Sequence, residues 1–164
     1  MSTSAQHTIR KETVFKGPGL HSGVETTVRL LPGDEDSGIH FVRVDHGPDM
    51  KIPLSLETLR RHPRRTSFGI GDVEVHTCEH LLSVLHILGV ENAVIEIDGP
   101  EVPGMDGSSV PFLEGVGESG IEVQGARGRN LSISSASPST MTSVVTSLST
   151  IFTFTFSFRP ALSK

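Results

Sequence analysis

His76, Glu79 and His80 stand in the order H-x-x-E-H within "VEVHTCEHLL", residues 73–82. Two imidazoles and a carboxylate in this order resemble the donor set of a zinc hydrolase, in which histidines hold the ion and the carboxylate takes a proton from its water. That chemistry needs both histidines on one helical face. "VEVH" alternates like a strand, so His76 ends a strand and the helix begins at Thr77 or Cys78. His76 and His80 then share no face, and the peptidase reading fails. What remains is the adjacent pair Glu79-His80 in a first helical turn. A carboxylate there gains from the helix dipole and stays ionised. Beside it, His80 supplies one metal ligand, so that base and ligand make half of a zinc hydrolase. The same two residues also fit a dipole-stabilising glutamate next to a surface histidine.

The elements that must position this pair are legible nearby. Leu81, Leu82, Leu85 and Leu88 follow at helical spacing, with Thr77 placed as N-cap and Gly89 as the stop. "TSFGIGDVEVH" reads as a hairpin turning at Gly71-Asp72. In "VETTVRLL", Val24, Thr26, Val28 and Leu30 share one strand face. "GIHFVRVD" and "NAVIEID" are further strand candidates, rich in β-branched residues. A second helix runs from Ser109 through "PFLEGVGESG", weakened by its glycines.

Three other segments hold residues capable of chemistry. "GPGLHSG", residues 17–23, is glycine-rich, but its spacing and its place between strands exclude a dinucleotide fingerprint; it is either a glycine-permitted turn or bulge with an incidental His21, or a tight loop that brings His21 close to a site. "RRHPRR", residues 60–65, gathers Arg60, Arg61, Arg64 and Arg65 around a proline, as a solvated loop or a phosphate grip. "DGPEVPGMDGSSVPF", residues 98–112, is a structured loop carrying Asp98 and Asp106. His86 reads as structural, and His7, His40, His46 and His62 show no usable pattern.

The chain of 164 residues carries a net charge of −5, which speaks against bulk nucleic-acid binding. Cys78 is its one cysteine, which excludes an intrachain disulfide and fits a reducing compartment. "MSTSAQHTIRKE" lacks the apolar core of a signal peptide, and no run spans a bilayer. The expectation is a soluble, cytoplasmic protein. Composition divides it in two. Residues 1–127 read as one folded α+β domain. Over 128–164 there is no acid, and Ser, Thr and an alternating "FTFTFSF" dominate. That stretch is expected to be an atypical tail, either disordered or foreign to the fold, or else a remnant of a truncated second domain.

Taken in order, "GPGLHSG" and "VHTCEHLLSVLHILGVENAVIEIDGPEVPGMDGSSVPF" resemble the zinc-dependent UDP-3-O-acyl-N-acetylglucosamine deacetylases of lipid A biosynthesis, over roughly residues 7–125. The resemblance implies a pair of similar α+β domains, each a two-layer sandwich of a small, mainly antiparallel sheet with helices. It implies His80 as one of three protein ligands to zinc and Glu79 as the general base, with no ligand at the position of His76. The substrate it implies is an acylated UDP-N-acetylglucosamine. In the family the other two ligands come from a His-Lys-x-x-Asp segment of the second domain, and a further histidine follows. This chain has no histidine after His86 and no acid in its last 42 residues. Two functions of different class follow: a deacetylase in truncated form, or a non-catalytic fragment or interaction module lacking the other half of the zinc site. Counted from the sequence, His80 is the one usable ligand, so the chain alone is expected to bind zinc weakly.

Overall fold

The structure is a computed structural model, and it describes residues 5–128. Apart from Gly128, the tail expected over 128–164 lies outside the described residues.

A five-stranded sheet forms the base. Its strands are β2 (Thr13–Pro18), β3 (Glu25–Pro32), β4 (Ile39–Arg43), β5 (Lys51–Pro53) and β9 (Ala93–Ile97), in the order β2-β3-β9-β4-β5. All neighbours are antiparallel except β4 and β9. A second sheet holds β6 (Leu59–His62), β7 (Arg65–Ile70) and β8 (Val73–Val75), both pairs antiparallel. A two-stranded ribbon joins β1 (Ala5–Ile9) to β10 (Ile121–Arg127). Two helices, α1 (Glu79–Ile87) and α2 (Val110–Ser119), complete an α+β sandwich.

Alternation places the core. Thr26, Val28 and Leu30 of β3 and Ala93, Ile95 and Ile97 of β9 are buried, while the residues between them are not. Val24 departs from the expected face. It precedes the strand and is 48% exposed, because its carbonyl accepts the Gly19 N–H and closes the loop. On α1, Leu81, Leu82 and Leu85 are buried as their spacing predicts, together with Val84, and Leu88 is half-buried against the same core. Gly89, at φ 72°, ends the helix. One glycine that weakens α2 by propensity has a packing reason. A Cβ on Gly115 would lie 2.6 Å from the Phe15 ring. Its absence lets α2 settle on β2, where Phe15 and Phe112 meet edge to face at 4.9 Å.

The hairpin through Gly71-Asp72 is present as β7–β8. "RRHPRR" is a second hairpin and not a solvated loop. His62 pairs with Arg65 across Pro63-Arg64, and Arg64 at φ 61° makes the reversal. Among the described residues no helix is long and apolar enough to cross a membrane.

Candidate active site

The passage from β8 into α1 decides where the two histidines go. His76 continues the extended chain. Its N–H donates to the Pro100 carbonyl (2.8 Å) and its carbonyl accepts from Val102 N–H (3.1 Å), forming a parallel bridge at Glu101. Thr77 then turns at φ 55°, a left-handed conformation uncommon for a β-branched residue. Cys78 caps α1 without a side-chain bond, and Glu79 and His80 open the helix. The N-cap is therefore Cys78, not Thr77. The Thr77 hydroxyl is engaged elsewhere, donating to Glu101 at 2.6 Å.

Glu79 is fixed from β7: the Thr66 N–H donates to its Oε2 at 3.0 Å. His80 is half-buried in the same turn, and its carbonyl accepts from Ser83 Oγ (2.8 Å), a hydroxyl that also meets Ser109 at the start of α2 (3.2 Å). Asp106 lies near enough for His80 to help hold its carboxyl below the usual range, behind the larger effects of the Ser108 N–H and hydroxyl. Cys78 is no candidate ligand. Complete burial pushes its thiol far up, with Glu79 and Glu101 adding to the effect.

Glu101 organises the surroundings, and sequence reading of the 98–112 loop singled out Asp98 and Asp106 instead. Only 1% exposed, Glu101 accepts from the N–H groups of His21 (3.0 Å) and Ser22 (2.7 Å) as well as from Thr77. Burial opposes its ionisation. The Thr77 and Ser22 side chains and the Ser22 and His21 N–H groups more than offset that, holding its pKa at about 2. One glycine makes the arrangement possible: a Cβ on Gly19 would lie 2.4 Å from Glu101 Oε2. "GPGLHSG" is thus wrapped on a buried carboxylate that also grips Thr77, the residue before the N-cap of α1. Its hairpin joins β2 to β3, and the His21 backbone is tied to the helix start as a site loop would be. Asp98 has a local duty, accepting from the Thr27 N–H at 2.6 Å.

His62 and His76 meet on the outward face of the three-stranded sheet. His62 Nε2 and Glu74 Oε2 share a hydrogen bond of 2.7 Å, and His76 Nδ1 lies 3.6 Å from the same oxygen. Burial, then Arg65, holds His76 below its ordinary value, against the pull of Glu74. Nothing in the spacing of His62 signalled this meeting. His86 is exposed in the last turn of α1.

A catalytic zinc takes three protein ligands and a water. At the helix start the described residues offer His80, and no group of three ligating side chains among them includes it. They fit one part of such a site and not the whole.

The sequence model of the UDP-3-O-acyl N-acetylglycosamine deacetylases matches residues 6–163. This chain belongs to that family. It is 44% identical over 119 residues to the UDP-3-O-acyl-N-acetylglucosamine deacetylase of Nostoc sp., covering 73% of this chain and 42% of that protein. The protein of the same name from Trichormus variabilis gives the same identity and coverage. That from Phenylobacterium zucineum is 42% identical over 130 residues, 78% of this chain and 44% of that protein. The chain spans less than half the length of these relatives. The family α+β sandwich expected from the resemblance is the fold observed.

Proposed function

We propose that this chain supplies the general base and one zinc ligand of a cytoplasmic deacetylase that removes acetyl from an acylated UDP-N-acetylglucosamine in lipid A biosynthesis. The observation that carries the proposal is the paired placement of Glu79 and His80 in the first turn of α1, with Glu79 held by Thr66, in a chain of this family. The Thr66 N–H engages Oε2, so Oε1 is assigned to receive the proton from the attacking water. His80 is assigned as a zinc ligand; zinc bound there would supply Lewis acidity to the water and the acetamide carbonyl. Glu101 ties the His21 backbone to Thr77, and so joins the "GPGLHSG" loop to the approach to α1.

The test is a chimera in which residues 7–125 replace the matching segment of the Nostoc relative, assayed for acetate release from the acylated UDP-sugar. Turnover that disappears in Glu79→Ala, with the chain alone inactive, is the expected result. A folded, zinc-loaded chimera without turnover would instead support a non-catalytic module.

A further inference from the structure

The outward face of the β6–β7–β8 sheet carries a cluster that the deacetylase reading does not use. Register puts it there. His62 faces Arg65 across the β6–β7 hairpin, Glu74 faces Gly69 across β7–β8, and His76 is the next residue but one along the same edge. Side chains alternate along a strand, so His62, Ser67, Gly69, Glu74 and His76 project to one side. Phe68 and Val75 project to the other and are buried in the core. β7 separates the strands that bear His62 and Glu74, and a side chain at position 69 would block the way. A Cβ on Gly69 would stand 2.7 Å from Glu74 Cγ. The bare backbone lets Glu74 lie across β7 and reach His62.

The ligating atoms of His62, Glu74 and His76 all lie within 4.8 Å of one another. The two rings stand 5.2 Å apart at 81°, so neither stacks over the other. Ser67 Oγ, 3.0 Å from His76 Nδ1, fixes that ring, and the Glu74 backbone carbonyl is held by the Arg43 guanidinium, itself paired with Asp45. All three side chains are half-buried, which leaves an approach from solvent. An ion pair alone would need His62 and Glu74; it gives no reason for a second imidazole at the same carboxylate oxygen. Two imidazoles and one carboxylate are the ligands of a borderline divalent ion of the zinc class, and three protein donors leave its fourth position open.

We propose that His62, Glu74 and His76 form a binding site for a divalent transition-metal ion of the zinc class, clamping β6 to β8 across β7. Binding replaces the hydrogen bond between His62 Nε2 and Glu74 Oε2 with bonds to the ion; a neutral His62 ring then carries its proton on Nδ1. The site uses no residue assigned at the start of α1.

The experiment is a Zn2+ titration of the full chain, followed through the histidine ring resonances and by zinc retained after dialysis. The expected result is a saturable shift of the His62 and His76 resonances at one equivalent. Retained zinc should persist in His80→Ala and its affinity should fall roughly tenfold or more in His62→Gln and in Glu74→Gln. His62 and Glu74 are half-buried, so both variants are checked for an unchanged fold by circular dichroism. If either unfolds, the ring resonances of the unaltered chain decide alone. Absence of any shift in His62 and His76, or zinc lost in His80→Ala but kept in His62→Gln, would overturn the proposal. Because acetate release plays no part in this readout, its failure leaves the deacetylase reading standing, and the reverse also holds.

Discussion

Thr66 and Ser67 are neighbours on β7, and they meet two different groups of side chains. Thr66 offers its backbone N–H to Glu79 at the start of α1, while the Ser67 hydroxyl shares a hydrogen bond with His76 Nδ1 on the outward face of the sheet. The first region is held by main-chain donors and by one buried carboxylate, Glu101. The second depends on side-chain identity and on the absence of one at Gly69. A backbone contact tolerates change in the residue that makes it, whereas a side-chain cluster does not. The left-handed Thr77 separates the regions, sending His76 and Glu79 to different neighbours although they are three residues apart.

Removing the proposed base should give the largest effect. In the chimera, Glu79→Gln is expected to lower acetate release by about 10²–10⁴-fold, the usual worth of a general base. His76→Ala should leave most of the rate. Equal losses in the two variants, read from initial rates, would merge the regions into one site.

Next comes the helix that presents Glu79 and His80. Leu85 is fully buried and Leu88 only partly, so Leu85→Ala should cost about 2–5 kcal/mol in denaturant unfolding, and Leu88→Ala clearly less. Similar costs would mean that α1 does not pack as described.

Glu101→Gln should cost about 2–3 kcal/mol, because a charged acceptor with several donors becomes neutral. The pH dependence has a definite sign. The folded carboxyl titrates at about 2 against an ordinary 4.5, so its stabilisation is complete above pH 4.5 and is lost as pH falls through 2. Acid unfolding of the unaltered chain should therefore be steeper between those values than that of Glu101→Gln. Identical slopes would remove Glu101 from its organising role.

The smallest change belongs to the strand face. Gly69→Ala meets Glu74 Cγ at 2.7 Å and the Val73 carbonyl at 2.8 Å, and should cost about 1–3 kcal/mol in thermal or denaturant unfolding. Under the proposed function it should scarcely alter acetate release. A loss of turnover comparable to that of Glu79→Gln would show that the outward face reaches the helix start.

The sequence by itself determined the parts whose information is local. Helical spacing of leucines located α1, and a Gly-Asp pair located the β7–β8 turn. A strand-to-helix switch at residue 76 separated His76 from the Glu79-His80 pair. Each follows from periodicities or turn preferences read within about ten residues. Tertiary structure decided what depends on distant partners. Thr77 looks like an N-cap by type, yet Glu101, 24 residues on, takes its hydroxyl, and the cap passes to Cys78. His62 carries no local pattern, yet register across β7 sets it against Glu74, 12 residues away. A buried carboxylate and a three-strand register are satisfied by groups brought together only when the chain closes, and no local spacing encodes which groups those are.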